Sequence, residues 1–381
     1  MSSSIDNSQN SNGSGQELDE YRDPDFNEDD NSESPPTDIV AYNELRSCAD
    51  LARMSGEGVI DLQPYFQRDV VWSPIDQTRF IDSLVKQLPI PSMCFALDHK
   101  TDTWIVIDGL QRMTSIVNFI SGGDWKLSRL PDIDPRLSGV VTAAFKTGTG
   151  DRKRIFDRVQ NKTLPITVLR CDFSKKNHME YIFTIFHRLN SGGSKLNNQE
   201  IRNCIYSGSF NTFLKHLDRD PSWRRLNNMV PAALDLKIST NNYRYVKQEL
   251  ILRLFAFIDR PSKYSGQVAK FLNDYMHDHR EPKDGFIKAK QEMFTGTMSI
   301  IDRIFPSRPG GKLPTAVVEA MLVGIARNID HATALSDGEL QSRYASLRAA
   351  SPFNEEGLSE GLSKKDKVDS RFSEATRLFS F

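Results

Sequence analysis

Residues 103–112 read TWIVIDGLQR, and this stretch decides the fold of the first half of the chain. The run from Trp104 to Ile107 is rich in β-branched and aromatic residues, so it predicts a buried strand rather than a helix. Gly109 permits a tight turn, and a helix is predicted from Gln111 to Ile120. The segment therefore predicts a strand that ends at Asp108 and turns at once into a helix.

The same alternation of strands and helices extends over residues 41–205. Further strands are predicted at 59–62, 92–97 and 163–171, with Pro165 indicating a sheet edge or a strand start. Further helices are predicted at 74–88 and 175–189, whereas residues 146–162 predict a polar, basic and exposed excursion. After residue 205 the pattern is helical almost throughout, with helices at 245–258, 266–275, 286–305, 314–326 and 337–349. The predicted fold class is α+β, with a mixed domain at 41–205 and an all-helical domain at 206–381.

Charge is distributed unevenly along the 381 residues. Residues 1–40 contain eleven acidic residues and one basic residue, Arg22, and predict a disordered acidic tail. The remaining chain has 48 basic and 39 acidic residues, a formal charge of +9, which suits phosphate-bearing partners. Two interpretations of the tail stay open: it shields the basic body from non-specific nucleic acid, or it only aids solubility.

The cysteines indicate neither a metal site nor a redox site. Four are widely separated, and no pair has metal-ligand or redox spacing. Cys94 and Cys171 lie in apolar, strand-like runs and are predicted to be reduced core residues. The N-terminus has no apolar signal-peptide core and no run approaches a membrane span, so the predicted location is the cytoplasm.

The strongest candidate for chemistry is the turn from Asp108 to Arg112. A helix N-terminus binds anions through free N–H groups and a partial positive charge, and Arg112 adds a forked donor suited to phosphate. Asp108 is a candidate ligand for Mg²⁺, or a group that orients a water for attack on a phosphoryl group. The alternative is structural: Asp108 caps the helix and Arg112 pairs with it.

Two further segments are candidates for holding a ligand. Gln67 and Arg68 lie between a strand and a helix, on a loop of the kind that often binds ligands; alternatively, the neighbouring aromatic residues are core and Arg68 is a surface charge. The second segment follows the helix at 175–189 and can form an anion-binding nest, or an ordinary helix–turn–helix connector in which Asn197 and Glu200 form a capping box. Its candidate residues are Arg188, Asn190, Ser191, Gly192, Gly193 and Asn197.

Other motifs are excluded by inspection. His277 and His279 stand two residues apart on a predicted helix and diverge, so they do not converge on a metal. The sequence has no Walker loop, no Ser-His-Asp set and no dinucleotide-binding glycine pattern.

Taken together and in order, three blocks resemble the N-terminal domain family of the GmrSD modification-dependent restriction enzymes. They are Tyr-x-Gln-Arg with a following Trp, Ile-Asp-Gly-x-Gln-Arg-x-Thr, and Arg-Leu-Asn-x-Gly-Gly-x-x-Leu-Asn-x-Gln-Glu-Ile-Arg-Asn. The resemblance covers roughly residues 45–260, because Gln248–Arg253 resembles the later helical region of the family. It implies a fold like that of ParB and sulfiredoxin.

The resemblance also implies a function. The family motif Asp-Gly-Gln-Gln-Arg is linked to binding and hydrolysis of nucleoside triphosphate, which implicates Asp108, Gly109, Gln111 and Arg112, with Gln67 and Arg68 from the first block. Leu110 replaces the first Gln of the motif and removes one amide. Residues 300–381 contain one histidine, His331, and not the His and Asn cluster of the HNH nuclease that many relatives carry. The Cys of the sulfiredoxin motif is also missing, which excludes sulfinic acid reduction.

Two functions follow as hypotheses. The first is a nucleotide-binding, NTP-hydrolysing protein of a prokaryotic antiviral restriction system, with Mg²⁺ as a candidate cofactor and with DNA and a separate nuclease as partners. The alternative is a non-catalytic, ParB-like nucleotide- or DNA-binding regulatory module. Leu110 favours the alternative, whereas Asp108 and Arg112 favour the enzyme.

Overall fold

The central sheet of the protein has five strands. The structure is a computed structural model, and it describes residues 35–62, 72–189, 196–229, 245–359 and 361–380. The strands are β1 (Val40–Ser47), β2 (Ile60–Asp61), β3 (Met93–Asp98), β4 (Trp104–Asp108) and β5 (Thr163–Cys171). Their order across the sheet is β1-β5-β3-β4-β2. The pairs β1–β5 and β3–β4 are antiparallel, and the pairs β3–β5 and β2–β4 are parallel.

Helices pack on both faces of this sheet. Those up to residue 205 are α1 (Cys48–Gly56), α2 (Pro74–Val85), α3 (Leu110–Ser121), α4 (Ala143–Lys146), α5 (Gly150–Gln160), α6 (Lys176–Leu189) and α7 (Asn198–Ile205). Those beyond are α8 (Ser209–Leu217), α9 (Pro221–Leu226), α10 (Val246–Asp259), α11 (Val268–Asp278), α12 (Phe286–Ile304), α13 (Thr315–Arg327), α14 (Ile329–Ala334), α15 (Asp337–Ala349) and α16 (Lys365–Phe379). The α+β prediction, with strands followed by helices, is confirmed.

The two faces of the sheet belong to two hydrophobic cores. Phe95, Val106 and Ile166 point to the face that packs against α1, α2, α3 and α5. Ile105 and Ile107 point to the other face, which packs against α6, α7 and the helices that follow. Side chains alternate between faces along a strand, so a strand covered on both sides is apolar throughout. This is why residues 104–107 are a continuous apolar run.

Local capping signals place the helices as predicted. Ser73 caps α2 in a capping box with Asp76, and Pro74 is its first residue. Gly122, in the left-handed conformation, ends α3. The five helices predicted beyond residue 240 all form. The boundary near residue 205 stays a prediction, because the second core runs without interruption from α7 into α8 and α10.

The interpretation of residues 146–162 as an exposed excursion is wrong. Residues 150–160 form α5, and Ile155, Phe156 and Val159 are buried in the first core. Their spacing places three apolar side chains on one face, and the basic residues between them face solvent. Six of the seventeen residues at 146–162 are basic, and they make this short amphipathic pattern difficult to recognise in the sequence.

Strand β1 was not predicted, and it begins inside the predicted tail 1–40. It pairs with β5 over its whole length, from Val40 opposite Arg170 to Ser47 opposite Thr163. Strand β5 is therefore an interior strand, so the edge indicated by Pro165 is wrong. Pro165 lies just before the paired stretch of β3, which begins opposite Ile166, and a proline near a strand start is tolerated there.

The cysteines are free and buried, which agrees with the prediction of reduced core residues. Among the helices that the structure describes, none is long and apolar enough to cross a membrane.

Candidate functional site

The turn from β4 into α3 requires glycine for two reasons. Gly109 is the N-cap residue of α3 and has φ 100°, a conformation that residues with a Cβ rarely adopt. A Cβ at this position would lie 2.6 Å from Cγ of Met93 on the neighbouring strand β3. The close approach brings the end of β4 and the start of α3 into one tight corner.

The N-terminus of α3 is not capped by a side chain of the described residues. The first backbone N–H bonded to the turn is that of Met113, which donates to the carbonyl of Gly109 at 2.9 Å. The N–H groups of a helix's first turn have no partner within the helix, and the helix dipole adds a partial positive charge there. The corner therefore offers an anion-binding surface next to Asp108.

Arg112 holds Asp108 in place. Its Nη2 donates to Asp108 Oδ2 at 2.6 Å, and its Nη1 donates to the carbonyl of Pro91 just before β3. The Asp108 side chain remains 39% exposed, whereas that of Arg112 is 13% exposed. Since Gly109 is the N-cap, helix capping by Asp108 is wrong, while its pairing with Arg112 is confirmed. Asp108 is thus a positioned carboxylate that stays open to solvent.

Gln111 connects this corner to the loop that carries Gln67 and Arg68. Gln67 and Arg68 themselves lie outside the described residues. The chain before them ends β2 at Asp61, parallel to β4, and the chain after them resumes at Trp72, whose N–H donates to Gln111 Oε1 at 3.1 Å. Asp61 and Trp72, on either side of the segment that contains Gln67 and Arg68, are therefore both close to the β4–α3 corner.

Leu110, the departure from the family motif, packs inward. Its partly buried side chain contacts both hydrophobic cores where β4 passes into α3. An apolar residue here joins the two cores, so the position contributes to packing rather than to the polar surface of the turn.

The third predicted segment lies between α6 and α7, and both helices contact β4. Asn190, Ser191, Gly192 and Gly193 lie outside the described residues. Arg188 is exposed on the last turn of α6. Asn197 caps α7: its Oδ1 accepts from Glu200 N at 2.9 Å, and Glu200 Oε2 accepts from Asn197 N at 2.6 Å. The predicted capping box is confirmed, so the carbonyl oxygen of the Asn197 side chain serves the helix.

Comparison with known protein families gives one match. Residues 49–207 match the model of the family described as GmrSD restriction endonuclease, N-terminal domain. We refer to residues 49–207, which are similar to this family, as the GmrSD-type domain. No curated protein and no solved structure is significantly similar to the chain. The matched range of this GmrSD-type domain includes the whole β4–α3 corner and ends just after α7.

A buried charged network joins the GmrSD-type domain to the helices that follow it. Arg202 on α7 is 0% exposed and donates to Glu249 Oε2 at 2.7 Å and to Asn273 Oδ1 at 2.8 Å. Glu249 also accepts from Arg253 at 2.7 Å, and Arg253 reaches Glu319 at 3.3 Å. Arg202, Glu249 and Arg253 belong to sequence blocks that carry the family resemblance, but their mutual contacts were not predicted.

The network fixes the charge of Glu249. Burial alone would raise the pKa of this carboxyl, but the positive charges of Arg253 and Arg202 outweigh burial and lower its pKa from 4.5 to about 2. Glu249 therefore stays ionised between two arginines, as a buried charge must to remain compensated.

Asp61 is a further candidate that sequence reasoning missed. It ends β2 directly before the Gln67–Arg68 loop, and its Cα pairs with that of Ile105. Burial lowers the pKa of Lys215 on α8, and the negative charge of Asp61 counteracts this effect, so the two charges interact. An acidic residue between a short strand and a segment predicted to bind a ligand was the available signal.

Metal ligands are sparse at this site. Within the described ranges, no three His, Cys, Asp or Glu side chains are grouped so that they could hold a metal ion. Asp108 supplies a single carboxylate. Mg²⁺ can bind to one protein carboxylate when phosphate oxygens supply further ligands.

Proposed function

We propose that the chain is a nucleotide-binding, nucleoside-triphosphate-hydrolysing protein of a restriction-type defence system. The observation that carries the proposal is the β4–α3 corner. The N-terminus of α3, which no side chain of the described residues caps, lies beside a solvent-open carboxylate that Arg112 holds, in the range that is similar to a restriction endonuclease family. Such a corner suits a triphosphate, because the N-terminus of α3 attracts phosphate. The carboxylate of Asp108 does not attract phosphate, so its role is a separate one.

The residues of the corner have separate roles in this proposal. The first-turn N–H groups of α3 bind phosphate, and Gly109 permits the tight turn between β4 and α3. Arg112 positions Asp108 through their 2.6 Å ion pair. Gln111 anchors the loop with Gln67 and Arg68, and these two residues supply further donors. Arg188 and the segment with Asn190, Ser191, Gly192 and Gly193 complete the ligand-binding surface.

Asp108 is also the proposed Mg²⁺ ligand. Mg²⁺ commonly binds through one or two carboxylates together with substrate phosphates, so a single exposed carboxylate beside the phosphate surface fits it. When bound, the ion would neutralise charge on the phosphate oxygens. Without it, Asp108 would repel the phosphate chain, so we expect triphosphate binding to depend on Mg²⁺.

DNA and a separate nuclease are the proposed partners. The body of the chain has a formal charge of +9, which suits a polyanion. Residues 300–381 contain one histidine, which does not match an HNH active site. In this proposal the chain acts as the nucleotide-dependent component and another protein cleaves the DNA.

The alternative is a binding module without turnover, and one observation favours it. Arg112 donates both to Asp108 and to the carbonyl of Pro91, so its charge is committed before any ligand binds. In the alternative, nucleotide binding only changes conformation.

One substitution distinguishes the enzyme from the binding module. Purified full-length protein is tested for phosphate release with each common triphosphate, with and without DNA, and for binding of a non-hydrolysable analogue in Mg²⁺. In an enzyme, Asp108→Asn retains binding but reduces turnover by roughly 100-fold, the usual scale for a group that assists proton transfer or orients a water. The matched control is Asp369→Asn, which breaks an i,i+4 ion pair on α16 at 2.9 Å. Absence of wild-type turnover with every triphosphate would reject the enzyme and leave the binding module.

A second substitution tests the location of the site. Arg112→Ala should weaken analogue binding by about 1.5–3 kcal/mol, since it removes a charge-assisted hydrogen bond that shapes the corner. Circular dichroism and a melting curve confirm that the variant is folded. Unchanged affinity for every triphosphate in a folded Arg112→Ala protein would show that the corner is not the nucleotide site.

A further inference from the structure

The positive charge of the mixed region is concentrated in one segment. Residues 41–205 contain 22 basic and 18 acidic residues, an excess of four positive charges. Residues 146–162 alone contain six basic and two acidic residues, which is the same excess. The rest of the region is therefore balanced, and its net charge comes from this segment.

The segment is a folded platform rather than a loose loop. Ile155, Phe156 and Val159 fix α5 to the first hydrophobic core. The basic side chains stand around this helix and make up what we call the α5 basic surface: Lys146, Arg152, Lys153, Arg154, Arg158 and Lys162. Charges on a fixed helix keep their spacing, so they attract a polyanion without the entropy cost of ordering a loop.

Carboxylates compensate only two of these six charges. Lys153 pairs with Asp157 at 2.7 Å and Arg154 pairs with Asp151 at 3.4 Å. Among the described residues, the other four have no carboxylate within ion-pair distance. Three of them donate to backbone carbonyls instead: Lys146 to Ser121, Arg158 to Val85 and Lys162 to Gln87. Those carbonyls lie at the C-terminal ends of α3 and α2, where the partial negative charge of the helix dipole favours a cation. This partial charge does not fully compensate the charge of a lysine or an arginine.

The same chain contains the complementary polyanion. Residues 17–33 contain nine acidic residues and one basic residue. We propose that residues 17–25 of this acidic segment dock on the α5 basic surface of their own chain and compete there with nucleic acid. A tethered segment acts at an effective concentration in the millimolar range, so even a weak electrostatic contact is populated.

The point at which the segment joins the fold allows this contact. Asp38 is held by Lys175 and by His178, whose Nε2 lies 2.9 Å from Asp38 Oδ1. From there β1 runs to Ser47, opposite Thr163 and close to the end of α5, over about 30 Å. Residues 17–25 precede Asp38 by 13 to 21 positions, a length of chain that spans about 45 to 70 Å at most. Residues 17–25 reach α5 readily, whereas Glu33 does not.

The first experiment locates the contact in the full-length protein. A carbodiimide joins carboxylates to nearby lysines, and mass spectrometry identifies the pairs. We expect residues 17–25 to link to Lys146 and Lys153 several-fold more often than to Lys288, an 83% exposed lysine on α12, and these links to disappear at about 0.5 M salt. Equal linking to Lys288, or links that persist in salt, would overturn the proposal.

The second experiment tests competition through a double-mutant cycle. One variant converts the five carboxylates at 17–25 to amides, and another is Arg152→Glu/Lys153→Glu/Arg154→Glu. A third variant combines both sets of changes. Binding of a 20-bp DNA duplex to each variant is measured by fluorescence anisotropy. Amidating the segment should tighten DNA binding roughly tenfold at low salt, because it frees charges for phosphate, and this gain should vanish in the combined variant. Amidating Glu28, Asp29, Asp30 and Glu33 is the matched control and should give a smaller gain. A gain of the same size with and without α5 charge reversal would show that the segment does not occupy α5, and would overturn the proposal.

Discussion

Two of the pairings between arginine and a carboxylate, one at the β4–α3 corner and one between α7 and α10, differ in exposure. Asp108 and Arg112 form a single pair at the end of a strand, and Asp108 is 39% exposed. Glu249 lies between Arg202 and Arg253, which are 0% and 4% exposed, and Glu319 extends the network. A charge open to solvent can exchange its partner for a ligand at small cost, whereas a buried charge cannot. The comparison supports our proposal that the first pairing serves a ligand, and it indicates that the second connects α7 to α10.

Removing Glu249 gives the largest effect we expect. Glu249→Ala leaves Arg202 and Arg253 buried with less compensation, which typically costs about 3–5 kcal/mol of unfolding free energy. Denaturant unfolding followed by circular dichroism measures it. Glu292→Ala, at a 68% exposed position on α12, is the control and should change stability by no more than about 0.5 kcal/mol. A loss no larger than that of the control would mean that the network does not hold α7 to α10.

Replacing Gly109 gives the next largest effect. Gly109→Ala combines the strain of φ 100° with a contact 2.6 Å from Met93 Cγ, which together should cost about 2–4 kcal/mol. Gly338→Ala is the control, since a Cβ there meets nothing within 4 Å, and it should be neutral or stabilising.

A double-mutant cycle separates the two causes at Gly109. Met93→Ala removes the contacts with Cγ and Sδ, leaves Cβ of residue 93 at 3.0 Å and does not change the strain, so Gly109→Ala/Met93→Ala should be more stable than the sum of the single changes predicts. Simple additivity in unfolding measurements would contradict the close approach.

The two pairings were not equally predictable from sequence. The β4–α3 corner was predicted because its causes are local: a β-branched run, one glycine and a helical repeat all lie within residues 103–120. The contact of Arg112 with the carbonyl of Pro91 could not be predicted, since it depends on how β3 lies beside β4. The same holds for Glu249, which lies 47 residues from Arg202 along the chain.

Long-range contacts also explain why β1 and α5 were not predicted. Strand β1 carries Val40 and Leu45 at 51% and 71% exposure, so no clear inward face marks it as a strand. It becomes one by pairing with β5 more than one hundred residues later. In α5 the few apolar positions are set apart by charged residues, and only the core beneath them shows that they are buried.

Acid should weaken the buried network in a defined pH range. The pKa of Glu249 is lowered from 4.5 to about 2, so its ionised form stabilises the fold fully above pH 4.5, and this contribution is lost as the pH falls from 4.5 towards 2. The stability difference between wild type and Glu249→Gln should therefore shrink over that range and stay constant above it. Unfolding free energies of both proteins at several pH values test this. A difference that does not depend on pH would show that Glu249 is not ionised in the folded protein.

The smallest effect concerns Leu110, where the chain departs from the family motif. Its side chain is partly buried between the two cores, so Leu110→Gln should cost about 1 kcal/mol of unfolding free energy, below the value for a fully buried leucine. Leu88→Gln, at a 46% exposed position, is the control and should cost almost nothing. Because residue 110 faces the cores rather than the polar surface of the turn, restoring the family's glutamine should leave triphosphate affinity and phosphate release unchanged. If Leu110→Gln instead increased phosphate release while the Leu88→Gln control did not, residue 110 would face the ligand. The natural leucine would then be what limits turnover, and the exposed pairing of Asp108 with Arg112 would belong to a site that mainly binds.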